Sequence, residues 1–226
     1  AGEPGAPADS AGADDTSRVE AGDFVALTFD DGPSDFTPRI LEILARQRVP
    51  ATFFVIGKQA QAHPGTLRDI RRAGHELANH TFTHSNLTTL SNGGIADELR
   101  RTGDVLRDRV GVSPKLARPP QGATSIRVRS VIHGRGMKHV LWTIDPLDWS
   151  RPGADQIRSR VLNAADGNEI VLMHDGGPTE RSQTVAALDG IINGLRARGY
   201  GFLTVSDFID RLAPGFRPWH EVAWVP

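Results

Sequence analysis

The chain has 226 residues, 38% apolar and 23% charged, an ordinary composition for a globular protein and enough length to bury a barrel-sized core. Its formal net charge is −1, so nothing in the charge points to a nucleic-acid partner. With no cysteine, disulfides, thiolate nucleophiles and thiolate metal sites are excluded.

Residues 1–22 are rich in Ala, Gly, Pro, Asp and Ser and almost devoid of large apolar side chains, so they are read as a disordered linker or tail. The chain opens on neither Met nor an export signal and is expected to be a mature or trimmed form. From Asp23 the texture changes. "FVALTF" (24–29) reads as a buried strand, "TPRILEILARQ" (37–47) as a helix and "ATFFVIG" (51–57) as a second strand. "PGTLRDIRRAG" (64–74) is a helix with Pro at its start and Gly at its end, and "HELANH" (75–80) a third strand. A long amphipathic helix (87–111) leads to "PKLARPP" (114–120), a strand cut off by its prolines. A helix (125–136), the strand "KHVLWTID" (138–145), a helix (154–165) and the strand "NEIVLMHD" (168–175) follow. A last long helix (181–199) precedes "GFLTVSDFIDRL" (201–212), a seventh strand with a closing helix. Strands alternating with helices, and reading as continuous apolar runs, predict a parallel sheet covered on both faces. The fold expected is α/β, a single-domain distorted (β/α)7-type barrel over residues 23–213, with a C-terminal extension over 214–226. No apolar run approaches the roughly 18 residues that span a bilayer.

In such barrels, working groups sit at the C-terminal strand ends. Strand one ends in Asp30-Asp31, strand three leads into His80 and His84, strand four into Arg118, strand five into Asp145 with Asp148 and Trp149 beyond, and strand six into His174-Asp175. Each has a bland reading. Asp-Asp before Gly-Pro suits a turn, a lone HxxxH is mostly coincidence, and Arg118 alone suits a surface ion pair of little worth. Their agreement on one rim is what carries weight. Two His and a carboxylate match a catalytic metal site that keeps an open position for water, with one Asp of the pair as ligand and its neighbour placed to accept a proton. His174, paired with Asp145, is a candidate general acid. Arg118 is placed to hold the base carboxylate and Trp149 to wall a small pocket. His75 is read as structural, and His63, His133, His139 and His220 are assigned no role.

"TFDDGP", "HTFTH", "RPPQG", "DPLDW" and "LMH" occur in that order. Together they resemble the five motifs of the polysaccharide deacetylases, the NodB-homology family (carbohydrate esterase family 4), over roughly Asp23 to Leu212. The resemblance implies one divalent metal, zinc first with Co2+ or Ni2+ as alternatives, and metal-assisted hydrolysis of acetyl groups on a glycan. It implies Asp30 as general base, Asp31, His80 and His84 as metal ligands, His174 as general acid, Arg118 as tether of Asp30 and Asp145 as the group tuning His174. Trp149 and Leu172 would shape the acetyl pocket. Gln121 stands where the family usually has Tyr; a backbone N–H there survives the change, whereas a ring contribution to the groove does not. The expected partner is an acetylated polysaccharide or oligosaccharide, of peptidoglycan or chitin type, bound by a monomer that is secreted or at the cell surface. An acetylxylan esterase and a catalytically silent glycan-binding domain are the alternatives.

Overall fold

A computed structural model describes residues 22–212. The tail expected before Gly22 and the extension expected over 214–226 lie outside the described residues. Within them, β1 (Phe24–Asp30), β2 (Thr52–Val55), β3 (Glu76–Asn79), β4 (Leu116–Ala117), β5 (Lys138–His139), β6 (Glu169–His174) and β7 (Gly201–Phe202) form one curled sheet. The order is β5-β4-β3-β2-β1-β6, with β7 beside the start of β1, and every pairing is parallel. Helices α1 (Thr37–Gln47), α2 (Gly57–Ala62), α3 (Pro64–Arg72), α4 (Asn92–Val110), α5 (Ile126–Gly134), α6 (Ala154–Ala164), α7 (Ser182–Ala197) and α8 (Val205–Leu212) surround it. This is the expected distorted α/β barrel.

Two differences from expectation have physical causes. "KHVLWTID" is not one strand: Val140 N–H still donates to Ala117 of β4, whereas Thr143 and Ile144 N–H donate to Ile170 of β6. The segment changes partner midway, so only its first two residues form β5 and Ile144 bridges Val171 alone. This crossing closes the curl. Helix α2, a single short turn with Gly57 at its start, carries too few apolar positions for a helical period to register.

The strands sort their side chains by parity. Val25, Leu27 and Phe29 of β1, Phe53 and Val55 of β2 and Val171 and Met173 of β6 pack against the helices. Ala26, Phe54, Ala78, Leu116 and Ile170 form a second core inside the curl, plugged by Val205, Phe208 and Ile209 of α8. Each fully buried large apolar side chain contributes about 1.5–3 kcal/mol relative to exposure. The outer core is therefore the main source of stability, and the inner face is free to carry chemistry at its open end.

Candidate active site

Because successive strand residues face opposite ways, the inner-face rows run on to polar ends. Ala26 and Thr28 lead to Asp30; Ala78 leads to His80; Leu116 leads to Arg118; Ile170 and Leu172 lead to His174. Register brings these ends level: Asp30 pairs with His174 across β1 and β6, and Asn79 with Ala117 across β3 and β4.

Asp30 is buried, and Arg118 Nη1 donates to its Oδ1 at 2.7 Å and to Thr28 Oγ1 at 2.9 Å, while Nη2 donates to the Leu141 carbonyl at 2.9 Å. The fully buried guanidinium lies 4.0 Å from the centre of the Phe54 ring and 5.6 Å from that of Trp142. Removing Arg118 would leave a buried carboxylate unpaired, which is the costly half of such a pair.

Parity would turn Asp31 out of the barrel. Instead it lies at φ 75, a left-handed conformation that turns its carboxylate back over the rim. The fully buried Asp175 fixes that turn, accepting from Gly32 N–H at 3.1 Å and Thr37 Oγ1 at 2.6 Å. Burial, together with the neighbouring Asp31 and Asp30 charges, pushes the Asp175 carboxyl up to about 7 despite the Thr37 bond. A Cβ at Gly32 would lie 2.1 Å from Asp175 Oδ2, so only Gly allows this contact. Asp31 Oδ1 then faces His80 Nε2 at 3.4 Å and His84 Nε2 at 3.1 Å.

These three donors, one per residue, lie within 4.8 Å of one another. Asp31 Oδ1 is buried and makes no well-formed hydrogen bond. His80 Nδ1 lies 2.7 Å from the Arg118 carbonyl, which takes its N–H and leaves the Nε2 lone pair facing the other donors. A buried oxygen without a donor, opposed by two imidazole nitrogens, suits a divalent cation.

On the opposite side, one expectation is corrected. The partner of His174 is Asp148, three residues beyond Asp145. Asp148 Oδ1 lies 2.7 Å from His174 Nδ1, and Oδ2 accepts from His174 N–H at 2.9 Å and Thr184 Oγ1 at 2.7 Å. Burial would lower the His174 pKa, but the Asp148 bond and charge more than offset it and the net shift is upward. Asp145 instead accepts from Leu147 N–H at 2.8 Å and interacts with Trp149, closing the turn that presents Asp148. "DPLDW" offers two acids, and the short helical turn at 148–150 makes the second one face inward.

Asp30, Asp31, His80, His84, Gln121, Trp142, Asp145, Trp149, Leu172 and His174 line one cavity of about 340 Å³. All the expected site residues except Arg118, which stands behind Asp30, reach it. Gln121 lies at φ 60 on its rim. Trp142 was not foreseen: read as part of a buried strand, it is exposed to the cavity because the chain changes sheet partner around it. It also packs beneath the Gln121 turn, where a Cβ on Gly122 would lie 2.8 Å from its ring.

Comparison with known proteins gives the family. The family model for polysaccharide deacetylase matches residues 18–140. A chitooligosaccharide deacetylase of Rhizobium leguminosarum bv. trifolii is 41% identical over 208 residues, covering 86% of this chain and 92% of its own. A peptidoglycan-N-acetylglucosamine deacetylase of Bacillus cereus is 38% identical over 188 residues, covering 82% and 87%. The solved structure of T48 deacetylase with substrate superposes with a TM-score of 0.78 at 35% identity, covering 84% of this chain and 92% of that one. The chain belongs to the polysaccharide deacetylase family.

Proposed function

We propose that this protein is a zinc-dependent deacetylase that removes N-acetyl groups from N-acetylglucosamine-containing glycans of the chitin or peptidoglycan type. The observation that carries the reading is the division of the paired aspartates. Asp30 is clamped by Arg118, while Asp31 is turned toward His80 and His84. Asp31, His80 and His84 would hold the cation, which when bound supplies Lewis-acid polarisation of the acetyl carbonyl and a more acidic water.

The chain's own residues then divide the proton work. Asp30 accepts the proton of the attacking water as its oxygen bonds to the acetyl carbon. The Gln121 backbone N–H, on a left-handed turn at the cavity rim, is the candidate donor to the oxygen that becomes negative. His174, kept protonated by Asp148, donates to the sugar nitrogen as the C–N bond breaks, giving acetate and a free amine. Leu172, Trp149 and Trp142 supply apolar wall for the acetyl methyl and the sugar face. The curated relatives named above act on chitooligosaccharide and peptidoglycan N-acetylglucosamine, and both substrates present this amide. With such a substrate, the reading goes with a protein that is secreted or at the cell surface. Among the described residues no helix is long and apolar enough to cross a membrane.

The test is acetate release from chitin oligomers, peptidoglycan and acetylated xylan, with and without a strong chelator. Release from the two N-acetylglucosamine polymers, abolished by chelator and restored by zinc, is expected. Full activity in a metal-free preparation would overturn the reading, and release from acetylated xylan alone would replace the amide by an ester.

A further inference from the structure

His80 and His84 are four residues apart, a spacing that a helix would bring to one face, yet 80–84 is not helical. Thr81 and His84 lie at φ 67 and 62, a region that residues with a Cβ occupy only when their surroundings over-determine it. Several bonds fasten the ends of this loop. Asn79 Oδ1 accepts from Thr81 N–H at 2.9 Å, Thr81 Oγ1 accepts from His84 N–H at 3.1 Å, and Gly57 and Lys58 N–H donate to the Thr81 and Phe82 carbonyls at 2.9 and 3.1 Å. None of these bonds satisfies the two N–H groups at its centre.

Glu98 does. It projects from α4 and is only 8% exposed. Its Oε2 accepts from Phe82 N–H at 2.9 Å and Thr83 N–H at 2.8 Å, and its Oε1 from Thr83 Oγ1 at 2.8 Å. Among the described residues no Lys, Arg or His forms an ion pair with it. A buried carboxylate without a counter-ion is expensive and persists where its hydrogen bonds are demanding. Here both oxygens are spent on three donors of two consecutive residues in the segment that joins the two imidazoles.

We propose that Glu98 is a positioning residue for the cation site: by clamping the middle of the loop it fixes the separation of His80 and His84, and so sustains metal affinity without touching the metal. The inference rests on the metal-site reading above. It differs from a general structural role in what it changes, since a helix–loop contact that only stabilised the fold would leave zinc affinity alone.

The test uses the full chain, stripped with chelator and reloaded with zinc, with affinity measured by competition against a fluorescent chelator. The melting temperature of the stripped protein and hydrogen exchange at the Phe82 and Thr83 amides are recorded alongside. Glu98→Ala should weaken zinc binding roughly 10–100-fold, the range for groups that orient metal ligands, and speed exchange at both amides. Glu98→Gln keeps an acceptor for both amides and can donate to Thr83 Oγ1, so it should restore most of the affinity. Thr83→Val, which removes one of the three bonds, should weaken zinc binding by less than Glu98→Ala and leave the melting temperature of the stripped protein near that of the parent. Unchanged zinc affinity in Glu98→Ala, or a Glu98→Gln loss as large as that of Glu98→Ala, would overturn the clamp. Should Glu98→Ala fail to fold, the other two variants decide: weaker zinc binding by Thr83→Val supports the proposal, and a lowered melting temperature with full zinc affinity overturns it. A parent chain that binds no zinc overturns the metal-site reading itself, an outcome distinct from failure of the clamp alone.

Discussion

The residues proposed to move protons and those proposed to hold the cation are placed by different means. Asp30 and His174 are strand residues. The period of two aims them inward and the β1–β6 register sets them opposite each other, at no cost in backbone strain. Asp31 and His84 sit on loops at φ 75 and 62, and each loop is held by a buried carboxylate from elsewhere, Asp175 for one and Glu98 for the other. Groups on the sheet inherit its rigidity; groups on the loops need a second layer of acceptors to acquire it. A lone pair aimed to within a few tenths of an ångström at a shared cation demands that second layer.

Breaking the loop side should have the largest effect. Asp31→Ala removes one of three donors and the only anionic one, so bound metal, measured by elemental analysis, and acetate release should both fall to background. Breaking the strand side should lower turnover without emptying the site. In Asp148→Asn, His174 loses the negative charge that raises its pKa and keeps the burial that lowers it. The catalytic form is the protonated one, so the alkaline limb of kcat/KM should move to lower pH and the rate above neutrality should fall, within the roughly 10²–10⁴-fold that general acid–base catalysis contributes. A pH profile of the two proteins checks this. The smallest effect is expected of Asp145→Asn, which loosens the turn at Leu147 and Trp149 but leaves the His174–Asp148 pair intact. Its alkaline limb should stay closer to that of the parent, with any loss appearing in KM; a shift as large as that of Asp148→Asn would make Asp145 the tuning group after all.

What was legible beforehand follows the same divide. The apolar runs of β1 and β6 announced themselves because both faces of each strand are covered, and the polar residues ending them could be placed on the rim because working groups of such barrels sit at the C-terminal strand ends. The five motifs resembled a known family closely enough to assign ligands. Loop contacts were not legible in this way. The choice of Asp148 over Asp145 depends on a helical turn of three residues that no periodicity announces. Asp175 and Glu98 were invisible as supports because their partners are backbone N–H groups, which every residue has, and threonine hydroxyls that no spacing singles out. The partner switch inside "KHVLWTID" was hidden because an apolar run looks the same whichever strand it joins, and with it went the placement of Trp142 in the cavity wall.

The central claim is that adjacent aspartates of similar burial divide into proton acceptor and cation ligand because Arg118 claims one and two imidazoles face the other. The most direct measurement is metal content beside turnover for Asp30→Asn, with Asp31→Asn as its counterpart. Asp30→Asn should retain one divalent ion per chain while losing acetate release, and Asp31→Asn should lose the ion. An Asp30→Asn protein that is empty of metal, alongside an Asp31→Asn protein that is loaded, would contradict the account.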